Sequence, residues 1–412
     1  MRTESKKQSR LRKLGSELNV NASLERRMSR REFGLKMARG AALATVAAAV
    51  GGVAGYVLRG TEGQTNTVTQ TTEKTVTPTI DRSTTYTTTH IITETHSVPH
   101  TVTREETRTL TTTRTATSEA GTVPVGMVRS DSVQEAVEKA IELAGGLEGL
   151  EAGMTVMIKP NVNSDDPCPA TTNPQVVAAI VNAVKTHNPN KVLVADCSNQ
   201  SYWPTVDSMK KTGIHQSAIE TGAEVIGLEE GQSKLVKPEE AVNWPDGFTV
   251  PAILDEVDYL ISVPVGKTHY IATYSMALKN TVGLIKPTSR SILHSYGEPR
   301  FGRMIAEINL GRPADYVILD ATKVFVTGGP FKGQAKEPGI VMATPDLVAA
   351  DVSGLALLKH LGTTAGVQRK SVWDQVQIGR ATELGLGVAN ASQITVAGEG
   401  IEKIDEIKRQ LM

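Results

Sequence analysis

A chain of 412 residues with 44 basic and 44 acidic side chains carries no net formal charge, so it lacks the overall basic field expected of a nucleic-acid binder. Its two cysteines are too few for a cysteine-ligated iron–sulfur cluster, which takes about four. The balance is uneven: residues 1–39 hold 12 Lys and Arg against 4 Asp and Glu, leaving 32 against 40 for residues 40–412, an acidic remainder that repels phosphate backbones.

Residues 1–39 are a basic tail containing Ser29-Arg30-Arg31-Glu32-Phe33. Paired arginines ahead of an apolar run resemble a twin-arginine export signal, and that resemblance implies the twin-arginine export machinery as a partner. Gly34 and Leu35 depart from its usual pattern, which places a leucine and a lysine directly after the phenylalanine. Residues 40–58 are uncharged and close to the ~20 residues that span a bilayer as a helix. They predict a signal or transmembrane helix, either retained as a single-pass anchor or cut near Ala47-Ala48-Ala49 or Ala54-Gly55, which would release the rest. A basic flank stays on the cytoplasmic side, so the remainder is expected outside the cytoplasm. Threonine dominates residues 59–123, as in Thr84-Thr85-Tyr86-Thr87-Thr88-Thr89. With few large apolar side chains to offset the entropy of ordering, this stretch reads as a disordered stalk. The strand propensity of Thr87–Glu94 leaves β-rich association as an alternative.

Residues 124–412 read as an α/β domain. Val133, Ala136, Val137, Ala140 and Ile141 recur at helical spacing behind Asp131 and Ser132. Thr155–Ile158 predicts a buried strand running into Lys159-Pro160-Asn161. Thr172-Asn173-Pro174 supplies a cap and a first-turn proline for a helix to about His187. Lys191–Asp196, Ala223–Ile226, Tyr259–Val263, Tyr316–Asp320 and Gln393–Val396 predict strands, with helices over Val206–Thr221 and Leu347–Leu361. Strands separated by helices imply a largely parallel or mixed sheet with helices on both faces. In such sheets ligands sit beyond the carboxyl ends of the strands, where Lys159, Asn161, Asp196, Lys267, His269 and Asp320 are expected.

Pro264-Val265-Gly266-Lys267-Thr268-His269 and Ala277-Leu278-Lys279-Asn280-Thr281-Val282-Gly283 are the densest polar segments. With Ile158-Lys159-Pro160-Asn161, Asp320, Gly328-Gly329-Pro330-Phe331-Lys332-Gly333 and Ala343–Asp351, they resemble the "domain of unknown function 362" family over nearly all of residues 124–412. Relatives of that kind often carry a twin-arginine signal, and some carry a ferredoxin-like module. The resemblance implies site residues and no particular reaction.

From the residues alone the chemistry is that of a pocket for a small anionic ligand. Lys159, Lys267 and Lys279 offer point charges to a carboxylate or phosphate. Asn161 and Asn280 can orient a ligand, Asp320 completes the polar set, and Gly329 and Gly333 allow close backbone approach. His269 and Lys267, with His294 in the Ser289–Gly302 stretch, are the candidates for proton transfer. Each also has a plain structural reading, as a satisfied histidine, a helix-capping aspartate or a glycine turn. Cys168 and Cys197 are expected at one sheet edge, where an oxidising compartment would permit a disulfide. No metal site is predicted, and no cofactor is identified, since the chain has no Walker loop, zincin helix, nucleophile elbow or dinucleotide fingerprint. An enzyme of isomerase or redox type, a non-catalytic surface binder of a solute or partner, and a surface-layer component all accord with these features.

Overall fold

The computed structural model describes residues 122–198 and 204–412. The basic tail, the apolar segment 40–58 and nearly all of the stalk lie outside the described residues. Among those described, no helix is long and apolar enough to cross a membrane.

The strands are β1 (Val123–Arg129), β2 (Thr155–Pro160), β3 (Lys191–Asp196), β4 (Glu224–Gly227), β5 (Ser233–Val236), β6 (Phe248–Pro251), β7 (Tyr259–Val263), β8 (Val265–His269), β9 (Thr273–Ser275), β10 (Tyr316–Gly328), β11 (Gly333–Lys336), β12 (Ile340–Thr344) and β13 (Ile394–Glu399). The main sheet runs β13-β1-β12-β10-β7-β2-β3-β4, and β5 and β6 form a separate hairpin. The β10-β7-β2-β3-β4 half is parallel, while β12 runs antiparallel to both β10 and β1. The sheet is therefore mixed, with a parallel half that reads in sequence as unbroken apolar runs because both of its faces are covered.

Alternate strand residues feed two cores. Met157, Leu193, Leu260 and Leu319 face one; Val156, Ile158, Val194, Ile261 and Ile318 face the other. Helices α1 (Val133–Leu143), α2 (Pro174–Lys185), α3 (Thr205–Thr212) and α4 (Ile214–Glu220) cover the second face. Helices α5 (Ala277–Asn280), α6 (Pro287–Leu293), α7 (Arg300–Ile308) and α8 (Leu347–Leu361) cover the first. Ser132 caps α1 by accepting from Glu135 N, and Asn173 caps α2 ahead of Pro174, as the spacing predicts. Every residue of α8 from Leu347 to Leu358 is buried, which makes it a core helix without a polar face.

Three expectations change. The single helix over Val206–Thr221 is two helices, because Gly213 adopts a left-handed φ of 85° between them. The strand ending at Asp320 continues to Gly328, with its pairing to β8 slipping between Asp320 and Phe325. Lys267 and His269 do not follow a strand end. They lie on β8 itself, hydrogen-bonded between β10 and β9, and two-residue spacing puts them on one face of that strand.

The chain builds β2, β3 and β4 outward in one direction, then returns to place β7 on the opposite side of β2. The β2–β7 junction is thus the topological switch point, where the connections leave in opposite directions and open a crevice.

Candidate functional site

Lys159 pairs in register with Ser262 at the carboxyl ends of β2 and β7. Its side chain is 1% exposed and forms an ion pair of 2.6 Å with Asp196, at the end of β3. Lys159 Nζ also donates to Pro160 O (3.1 Å) and to Asn280 Oδ1 (3.2 Å). Asn280 Nδ2 in turn donates to Lys159 O and Ser262 Oγ, stitching α5 across the crevice. Asp196 is saturated: Val162 N donates to Oδ2 at 2.7 Å and Cys197 N to Oδ1 at 2.8 Å. Gly283 packs directly on this pair. A Cβ there would lie 1.9 Å from Asp196 Oδ1 and 2.6 Å from Lys159 Nζ, so a larger residue would have to push the ion pair aside.

Above the pair lies a cavity of about 40 Å³, room for about three water molecules. Its charged lining is Lys159, Lys267, Lys279, Arg290 and Asp196, four cations to one carboxylate. Lys267 Nζ donates to Asn161 Oδ1 (2.6 Å), Ala170 O (2.6 Å) and Pro169 O (3.3 Å), the geometry of a fully engaged ammonium. Arg290, 5% exposed, is fixed by Ser198 O, Cys197 O and Val282 O. Lys279 is different: it makes no hydrogen bond or ion pair among the described residues. Asn163 Nδ2 and Arg290 Nε, on two further lining residues, are buried donors that also lack a partner among the described residues. Native interiors seldom leave such groups unmatched, and here two of them border one hollow beside the half-buried Lys279.

Burial and the neighbouring cations act together on these amines. Lys279 is pushed down to about 7 by burial first, then by Arg290 and Lys159. Lys267 is also pushed down to about 7, by burial and then by Lys279. Burial lowers Lys159 and raises Asp196, and their mutual attraction offsets part of both shifts. Asp351, on α8, holds α5 in place by accepting from Ala277 N at 2.5 Å and Leu278 N at 3.4 Å. Burial pushes its carboxyl up to about 7 against those bonds.

Of the residues singled out in the sequence, Lys159, Asn161, Lys267, Lys279 and Asn280 line one cavity. The others take different places. His269 Nδ1 accepts from Ile271 N and Ala272 N, both at 3.1 Å, which leaves its proton on Nε2. Burial, then Lys279, Lys267 and His294, drive its pKa far below the usual histidine value. His269 is accordingly a neutral hydrogen-bond donor here rather than a base, its one lone pair being occupied. His294 is exposed on the surface, with Nδ1 2.8 Å from Arg290 O.

Asp320 does not line the cavity. Its Oδ2 accepts from Asn173 N and faces Cys168 Sγ at 3.9 Å, and its Oδ1 accepts from Thr322 N and Oγ1. It is fully occupied in anchoring the loop before α2. Gly329 and Gly333 serve the backbone: a Cβ at Gly329 would meet Thr268 O at 2.0 Å, and one at Gly333 would meet Thr327 O at 1.9 Å. Pro330 of that loop reaches the cavity wall. Cys168 and Cys197 are both free thiols, so the expected disulfide is absent. Cys168 faces Asp320, whereas Cys197 is buried against Ser198 O on the cavity wall.

Asp196 stood out in the sequence as a strand-end residue, but its role as the buried partner of Lys159 did not. Gly283 closes the Ala277–Gly283 segment and Arg290 lies in the Ser289–Gly302 stretch, yet nothing local gives either a role at the site, and Asn163 carries no signal at all. Each comes from a connection that only the sheet order brings to the β2–β7 junction.

These features define an α/β domain with a cation-lined hollow at its switch point. Residues 156–356 match the model of a family described as "Domain of unknown function (DUF362)". That span opens in β2 and closes in α8, and it contains every cavity residue named above. A thylakoid-associated protein of Synechocystis sp. is 30% identical over 99 residues, 23% of this chain and 31% of the relative. The chain thus spans less than a third of the length of that curated relative. Among solved structures, the lactate racemase apoprotein of Thermoanaerobacterium thermosaccharolyticum aligns with a TM-score of 0.35 at 15% identity, covering 48% of this chain and 50% of that one. A Thermotoga maritima protein aligns at 0.29 and 11% identity, covering 46% and 51%.

Proposed function

We propose that this domain is an enzyme that binds a small oxyanionic substrate, a carboxylate in the simplest case, and moves a proton with Lys279. The observation that carries the reading is Lys279, unpartnered among the described residues inside a hollow whose other cations are fixed. An anion entering there supplies the acceptor that Lys279 lacks, with Arg290 and Lys267 adding to the field. An amine whose pKa lies near 7 is suited to accept and return a proton at neutral pH. Abstraction of a proton next to a bound carboxylate is the elementary step of an isomerase or racemase.

Two measurements test this together. Calorimetric titration with inorganic sulfate should give saturable binding that Lys279→Met weakens at least about tenfold. Small 2-hydroxy and 2-amino acids held in deuterium oxide with the protein should exchange their α-proton, read by proton magnetic resonance. Sulfate binding without exchange selects the alternative, a non-catalytic binder of an anionic solute. No sulfate binding refutes both.

We read residues 124–412 as a whole as a member of the matched family, since β1 and β13 complete the sheet that carries the matched span. The setting is a further part of the proposal: residues 40–58 anchor the chain, the twin-arginine motif directs its export, and residues 59–123 hold the domain off the membrane. The support is the charge asymmetry and the apolar run in the sequence. Exchanging Arg30 and Arg31 for lysine should retain the protein in the cytoplasm. Added protease should digest the domain in intact spheroplasts of cells making the unaltered chain. Protection from the protease would overturn the orientation.

A further inference from the structure

We infer that Lys279 is a carbonyl-capturing amine, which condenses with a short 2-oxo carboxylate to form an imine. This rests on the reading of the hollow as an anion site and gives Lys279 a covalent role toward 2-oxo acids, in place of the proton transfer proposed for it toward other acids.

The three cavity lysines are not equivalent. Lys159 is committed to Asp196, Pro160 O and Asn280 Oδ1, and Lys267 to Asn161 Oδ1, Pro169 O and Ala170 O. An ammonium donating in three directions has no lone pair to offer. Lys279 has no acceptor among the described residues to hold its proton, and it faces the charges of Arg290 and Lys159 from within the same wall. Lys279 is half-buried and shares its wall with other cations, and a cationic neighbour is one arrangement that frees an amine for attack on a carbonyl. The neighbouring cations that disfavour its charged form would also draw in a carboxylate. The occupant is therefore an acid whose carbonyl lies next to its carboxylate. The hollow is small and partly open, and the shortest members of that class are the first to try in it.

The step balances without an added reactant. The nitrogen lone pair of Lys279 forms a bond to the carbonyl carbon, and the carbonyl π pair takes up the proton that the nitrogen releases. Loss of that hydroxyl with a second nitrogen proton expels one water and leaves the carbon–nitrogen double bond.

The test uses glyoxylate with sodium cyanoborohydride, which delivers hydride to the imine carbon and makes the adduct permanent. The expected result is one carboxymethyl group per chain, mapped to Lys279 and suppressed by sulfate. Lys279→Arg keeps the charge and Lys279→Met the length; neither should carry the adduct, and circular dichroism confirms that both are folded. Exposed Lys210, 58% accessible, is the internal measure of non-specific labelling. No adduct on Lys279 in a protein that still binds sulfate overturns this inference and leaves the anion site standing. Adducts at Lys210 and Lys279 alike, indifferent to sulfate, overturn it as well. Absence of both adduct and sulfate binding overturns the site with it.

Discussion

Replacing Asp196 with asparagine keeps the shape of the buried pair and removes its negative charge. Lys159 is then left with Pro160 O and Asn280 Oδ1 as acceptors. Stranding one member of a buried ion pair costs about 3–5 kcal/mol. The amide can accept from only one of the two N–H groups of Val162 and Cys197 that Asp196 now serves, which adds about 1 kcal/mol. The sum, about 4–6 kcal/mol, is a large part of the ~5–15 kcal/mol that ordinarily holds a domain folded. The loss also depends on pH. Burial already lowers Lys159 from 10.5, and without Asp196 it falls further. The unfolded chain then binds the proton more tightly than the folded one, so stability rises with pH. The deficit is full below the folded pKa and eases by up to about 1.4 kcal/mol per pH unit until the ordinary lysine value is reached. Urea unfolding at about pH 6 and about pH 9 reads both parts. The double variant Lys159→Met with Asp196→Asn should recover at least about 2 kcal/mol at the lower pH, since the stranded charge is gone. A deficit below about 1 kcal/mol at about pH 6, or one that does not change with pH, would refute the assignment of Asp196 as the buried counter-ion.

Gly283→Ala should lower the melting temperature, because its Cβ would displace Asp196 Oδ1 from Lys159 and Cys197 N. Gly379→Ala, in the helix Val376–Glu383 with nothing within 4 Å, should raise stability by about 0.5–1 kcal/mol, and thermal melts compare the two. Sulfate affinity should fall as pH rises through about 7, by up to about tenfold per pH unit as Lys279 loses its proton; affinity that rises in calorimetry would contradict the cationic site. Asp351, raised from 3.8 to about 7, binds its proton more tightly when folded, so its contribution is complete below the unfolded pKa and lost as pH rises through about 7. Asp351→Asn should abolish that slope while keeping an acceptor for Ala277 N, so melting curves across this window should show the variant gaining on the wild type as pH rises.

The parallel half of the sheet was legible because its strands are buried on both faces and hold apolar runs, as in Val192–Ala195 and Tyr259–Ile261. The caps Ser132 and Asn173 were legible because a short polar side chain before an apolar period has one dominant use. β8 was not: Val265-Gly266-Lys267-Thr268-His269 looks like a polar loop, and only its place between β9 and β10 makes a strand of it. The same holds within the site. Lys159, Asn161, Lys267, Lys279 and Asn280 could be marked as charges and amides that folding alone does not require. Arg290 and Gly283 become intelligible only once three connections meet at one junction. Asp320 and His269 show the converse. Their residue types suggested chemistry, and their hydrogen bonds commit Asp320 to holding a loop and His269 to a fixed tautomer.

Asn280 reaches both the carbonyl of Lys159 and the hydroxyl of Ser262, on two strands that their own ladder already joins. The amide therefore adds no tie between the strands that the ladder lacks; what it secures is α5. Lys279, one residue earlier in the chain, is thereby carried on a segment moored to both strands at once.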